Sequence, residues 1–225
     1  MTDLLSVILF ILLTAITFKF SLYVNKKFKI PFMNPLILTA AIIIIFLKVF
    51  NFTYSDYFKG GSIIASALGP IVVVLAIPIY KNRGALKKYF IPIMGGIGAS
   101  IITSFVSVLI LCRLFGIDQT ILLSLLSKSI TTPMAVESAK MLGGNESVTT
   151  LAVIITGLVG SAVAPSVVKT GKIKNNIAKG IGIGAAAHAV GTIKAVEMNE
   201  EAGAASGLAM GLTGLMTIIA IIIIA

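Results

Sequence analysis

Two short stretches of this chain place Pro, Lys and Glu where an apolar sequence has most reason to exclude them. Thr132 to Glu137 reads Thr-Pro-Met-Ala-Val-Glu and Thr192 to Glu197 reads Thr-Ile-Lys-Ala-Val-Glu, so Thr, Ala, Val and Glu recur at matching places, 192 − 132 = 60 residues apart. Freed backbone groups and charges inside hydrocarbon cost several kcal/mol each, so such residues persist there when they do something. Running into the first copy, Lys128, Ser129, Thr131, Thr132 and Pro133 form the densest polar group in an apolar context. Proline lacks an N–H and suits the first turn of a new helix, which Thr131 or Thr132 would cap. Open amides at that helix start and the Lys128 charge would attract a carboxylate. The bland alternative is a lysine snorkelling from a helix end beside an ordinary turn.

The second copy follows His188, the only histidine, with Gly191 and Thr192 after it. A helix here is expected to break at Gly191. As a cation His188 would bind a carboxylate, and near its ordinary pKa of about 6.5 it would couple proton movement to a substrate; a lone histidine is otherwise a hydrogen-bonded structural residue. Glu137 and Glu197, five residues beyond each Thr, are candidates for a coupling proton or sodium ion. Each also has a lysine three residues away, Lys140 and Lys194, so helical ion pairing is the competing expectation. Glu200 and Glu201 look like solvated loop residues before a helix starting at Gly203.

No Ser-His-Asp set, paired carboxylates or metal-ligand spacing is evident, so an enzyme, a bound metal and a cofactor are not expected. The glycines of Gly180 to Gly184 lack the preceding strand and the lysine of a phosphate loop. Cys112 is the only cysteine, which excludes an internal disulfide.

The elements that must position these residues are membrane helices. Of 225 residues, 57% are hydrophobic and 12% charged, with a mean hydropathy of +1.07, about half the charge a soluble surface needs. The net charge of +10 sits in short clusters between apolar runs, which fits inward-facing loops and argues against nucleic acid. Runs long enough to cross are Leu4 to Val24, Pro35 to Phe50, Ile63 to Tyr80, Phe90 to Leu111, Val148 to Val168 and Gly203 to Ala225. Ile117 to Gly144 and Asn176 to Glu201 are interrupted and would be discontinuous or re-entrant. Three basic clusters, at Lys26, Lys27 and Lys29, at Lys81 to Lys88, and at Lys169 to Lys179, are expected to face the cytoplasm. Counting from them puts the N-terminus outside and gives the stretches before and after Val148 to Val168 opposite orientation. The expected fold is therefore all-α, a polytopic transmembrane helical bundle with inverted repeats. Residues 1–115 would form N-terminal scaffold helices, and 116–225 two broken-helix units, 116–170 and 176–225, holding the site. Broken helices from two repeats that converge near mid-membrane are a transporter arrangement. A fainter third copy, Gly69 to Leu75 followed by Gly95 to Ser100, parallels Thr132-Pro133 and Thr156 to Ser161.

Asn34-Pro-Leu36, Gly69-Pro70, Pro78-Ile-Tyr80, Lys128 to Pro133, Gly143-Gly144, Thr156-Gly157, His188 to Thr192 and Glu200 to Ala204 resemble, in order and spacing, the LrgB/CidB family. The Lys-Ser-x-Thr-x-Pro and His-x-x-Gly-Thr motifs are the specific part; the one departure is Ala189 and Val190, where a glycine after the histidine is common. The resemblance implies a multi-pass protein of the cell inner (plasma) membrane, antiholin-like, with an LrgA/CidA-type holin-like partner and a role in murein hydrolase control and lysis. It also implies transport, because plastid relatives are glycolate/glycerate translocators and bacterial members are connected with pyruvate. A small-monocarboxylate carrier, with proton coupling, is the resulting expectation, in which Lys128, Ser129, Thr131, Thr132, Pro133, His188, Gly191 and Thr192 surround the anion; a homodimer is expected as the support for moving bundles, and a regulatory subunit of a holin-like pore is the alternative.

Overall fold

Thr131, Asn145, Asn175 and Asn199 each stand at a helix boundary, and these boundaries organise the second part of the chain. The computed structural model describes residues 2–28, 35–67, 70, 73, 74 and 76–224, and every regular element among them is a helix. Asn34, Gly69, Lys29 and most of the faint third copy, Gly69, Ile71, Val72 and Leu75, lie outside the described residues. The chain divides into two units, Met1–Pro70 and Ile71–Ala225.

In the first unit α1 (Thr2–Phe28), α2 (Pro35–Val49) and α3 (Tyr54–Ser66) pack against α1 as the common partner. Thr14, Thr17 and Ser21 return their hydroxyls to the carbonyls of Phe10, Leu13 and Thr17, which satisfies them inside an apolar helix. Phe10 meets Phe52 and Tyr57 edge-on, with centroids 5.4 and 5.8 Å away. A Cβ at Gly60 would lie 2.8 Å from the Val7 carbonyl oxygen, so α3 approaches α1 through a residue without a side chain. Thr53 and Asp56 form a capping box at the start of α3.

The second unit contains α4 (Ala76–Lys81), α5 (Arg83–Lys88), α6 (Phe90–Leu114), α7 (Gln119–Leu126), α8 (Thr132–Leu142), α9 (Glu146–Thr170), α10 (Asn176–Met198) and α11 (Glu200–Ile224). Among the described residues, the helices long and apolar enough to cross a membrane are α1, α6, α9 and α11; α2 is apolar but has 15 residues. Of the expected span Ile63 to Tyr80, the described parts are the end of α3, closed at Ser66 by a cap at Ala67, and α4 from Ala76; residues 68, 69, 71, 72 and 75 lie outside the described residues. The start of α11 differs from expectation: Asn199 accepts from the Glu201 and Ala202 amides, so Glu200 and Glu201 form its first turn, where the helix dipole favours carboxylates.

Two segments double back. In the first, Ser127 donates to the Ala135 carbonyl at 3.1 Å and Ser124 Oγ accepts from the Asn145 amide at 2.7 Å, so α7 and α8 run antiparallel with their reversal at 128–131. In the second, α10 reverses within itself. Gly191 packs on Ala187 and on Ile183, eight residues back, which a straight helix would hold about 12 Å away. Gly180 and Gly184 lie on Ala202 and Ser206 in parallel order, whereas Thr192 and Val196 meet Ser206 and Gly203 in the opposite order. The reversal is at His188, whose φ of 41° and ψ of −134° are those of a glycine-favouring reverse turn. Sequence placed the break at Gly191; that glycine instead provides the close approach of the two arms.

α9 links the hairpins. Its start touches the open end of the first, where Thr149 donates to the Ser124 carbonyl, and its Ala164 packs with Ile183 and Ala195 towards the open end of the second. Each hairpin follows an Asx-capped start, Asp118 or Asn175, and precedes an Asn-capped long helix, at Asn145 or Asn199.

Candidate functional site

Both reversals reach the same level of α9. Ile130, at the first, packs with Val153 of α9. His188, at the second, places Nε2 2.9 Å from the Val153 carbonyl, and since a carbonyl only accepts, Nε2 carries the proton. The α9 surface is cut away to admit it: a Cβ at Gly157 would stand 2.6 Å from His188 Cε1, and one at Gly160 2.5 Å from Ala187 Cβ. His188 is 4% exposed. Thr192 donates to the His188 carbonyl at 2.8 Å, which leaves Ser206 to donate to Thr192 at 2.9 Å. This ties both sides of the reversal to α11.

Lys128 sits differently. It is half-buried, makes no ion pair among the described residues, and has Ser129 Oγ at 3.4 Å. Ser129 Oγ lies 3.1 Å from Ser104 Oγ on α6. Lys128 and Ser129 line a groove of about 400 Å³ against one face of α6, a volume in the range of small-molecule sites. Thr131 occupies the N-cap position of α8 with its hydroxyl uncapped; it is 6% exposed and Oγ1 has no partner. Thr132 and half-buried Pro133 begin the helix.

The structure therefore brings Lys128 and Ser129 into one open groove and sends His188, Gly191 and Thr192 into the α9–α11 packing. Glu137 and Glu197 lie away from both. They pair with Lys140 at 3.3 Å and Lys194 at 2.9 Å, with side chains 69% and 60% exposed. Glu137, with Glu146, raises the Lys140 pKa, as neighbouring carboxylates do for an ammonium. Sequence reasoning missed the face of α6 that completes the groove; the recurrence of Ser100, Thr103, Ser104 and Ser107 at helical spacing was the available signal.

The LrgB-like family profile matches residues 14–225. The chain belongs to this LrgB-like family. Among similar proteins, YxaC of Bacillus subtilis is 39% identical over 93% of this chain and 91% of its own length. The Holin-like protein CidB of Staphylococcus aureus is 36% identical over 96% and 95%, and YwbG of Bacillus subtilis 32% over 92% of each. No solved structure matches this LrgB-like chain. Family membership and the four long apolar helices among the described residues make it a multi-pass membrane protein.

Proposed function

We propose that this LrgB-like protein is the antiholin-like regulatory subunit of a holin-like membrane system, acting with a small LrgA/CidA-type partner in the control of murein hydrolase activity and lysis. Its similarity to Holin-like protein CidB over nearly all of both chains supports this reading. A surface for such a partner is available on α6, where a Cβ at Gly95 or Gly98 would meet nothing within 4 Å, and small residues in lipid favour close helix packing. Co-purification from membranes tests it. The partner is expected to follow the parent protein and to be lost with Gly95→Leu and Gly98→Leu; no co-purification, or none lost, rejects this role.

A second reading has its own observation: a lysine without a carboxylate partner among the described residues, at the tip of a helical hairpin and level with the middle of α6. A cation held there calls for an anion. The protein would then be a secondary carrier of small monocarboxylates, glycolate, glycerate or pyruvate in kind, by alternating access. Units 116–170 and 176–225 would be inverted repeats whose re-entrant hairpins enter from opposite sides, an arrangement that the convergence of both reversals on Val153 supports. Lys128, Ser129, Thr131, Thr132 and Pro133 would hold the anion, and His188, Gly191 and Thr192 would set the second hairpin, with His188 the candidate for proton coupling. Glu137 and Glu197 would serve coupling only by leaving their lysines. We place the protein in the cell inner membrane, N-terminus outside, as a homodimer. Labelled glycolate uptake into liposomes, with a dye-leak control, tests the carrier. Saturable uptake lost in Lys128→Ala supports it, and parental uptake in that variant rejects the site.

A further inference from the structure

We infer that the serine–threonine face of α6 is the second wall of the anion site, selecting short carboxylates that bear a further oxygen beside the carboxylate. This rests on the carboxylate reading of Lys128. Ser100, Thr103, Ser104 and Ser107 follow the i, i+3, i+4, i+7 spacing of one helix face and all line the groove that holds Lys128 and Ser129. The adjoining stripe of the same helix, Ile93, Ile97, Ile101 and Val108, is buried in the core. Ser100, Ser104 and Ser107 meet protein groups at the wall of the groove, and Thr103 stands open beside them.

Their existing bonds leave capacity. Ser107 donates to the Ser104 carbonyl at 2.9 Å, and Ser100 reaches the Ala185 carbonyl at a long 3.5 Å. Thr103 is exposed in the groove and makes no hydrogen bond among the described residues. Ser104, through Ser129, connects this face to the Lys128 ammonium. An ammonium is a point charge that fixes a carboxylate without reading the rest of the molecule. A hydroxyl both donates and accepts, so Thr103 and Ser104 would bind either an alcohol or a keto oxygen on the neighbouring carbon. A plain alkyl group there would displace water and leave these groups unpaired, which is how a polar site rejects an analogue lacking the oxygen.

Lactate and propionate differ by that one oxygen and are the probes. Calorimetric titration of the purified full chain in detergent is expected to show lactate binding at least about tenfold tighter than propionate, the worth of one good hydrogen bond. Thr103→Val, which keeps the shape, and Ser104→Ala are expected to bring the ratio to within about threefold through weaker lactate binding, with propionate unchanged. Lys128→Met is expected to lose both acids. Equal affinity in the parent, an unchanged ratio in both variants, parallel loss of both acids in them, or no binding of either acid overturns the inference. The same proteins in liposomes separate it from the carrier: selective binding without flux rejects transport and leaves the site, whereas saturable flux with an unchanged ratio rejects the α6 wall and leaves transport.

Discussion

His188 holds a backbone conformation that glycine takes readily and other residues rarely do, at a cost of order 1–3 kcal/mol. The imidazole bond to the Val153 carbonyl and its seat over Gly157 are what hold it. Gly157→Ala would put a methyl carbon 2.6 Å from the ring and is expected to destabilise by about 1–3 kcal/mol, read as a lower melting temperature in detergent. Candidate residues stand out in the sequence where a titratable group stands alone among apolar residues, as Lys128 and His188 do. They do not stand out where the same residue type has a common structural use. Thr103 and Ser104 look like Thr17 and Ser21, hydroxyls that merely bond back to their own helix, until the groove is seen. Gly191 attracted the expected break because glycine is the usual residue there, but here it serves approach and the histidine makes the turn.

Among the helices, the arms of the second hairpin are held to α11 through residues without side chains. A Cβ at Gly184 would strike the Ser206 backbone, whereas one at Gly182 would meet nothing within 4 Å. Gly184→Ala is therefore expected to destabilise the protein strongly, and Gly182→Ala to be neutral or stabilising by up to about 1 kcal/mol from helix propensity, in parallel thermal melts. At the start of α7, the Thr120 amide donates to Asp118 at 2.8 Å and holds its carboxyl below the ordinary range. A depressed folded pKa means that the contribution is complete above the unfolded value of about 3.9 and fades as pH falls through the folded one. Protection of the α7 amides from hydrogen exchange is expected to drop on acidification in the parent, and not in Asp118→Asn, which keeps an acceptor without the charge. The long helices were legible from hydropathy over 18 or more residues.

For the molecule as a whole, the Lys clusters and the duplicated motif carried the expectation of opposed hairpins, while orientation has only the lysines behind it. Cysteines introduced singly at Asp118, Asn145, Lys174 and Asn199 in a Cys112→Ala background would locate the hairpin ends. Asp118→Cys and Asn145→Cys are expected to react with an impermeant thiol reagent from outside, and Lys174→Cys and Asn199→Cys only after the membrane is opened. Labelling of both pairs from one side would refute the opposed arrangement. What sequence does not encode legibly at this scale is which broken helix faces which groove, because that depends on contacts such as Ile130 on Val153 between residues far apart in the chain.

The native thiol has a use of its own. Cys112 is buried where α6 meets the first hairpin, against Leu126, and is the only cysteine in the sequence. A reagent reaches that sulfur only when this seam parts, so its rate of alkylation clocks the breathing of the protein. Slower alkylation with lactate than with propionate, at equal concentration, would report occupancy of the groove from a position outside it.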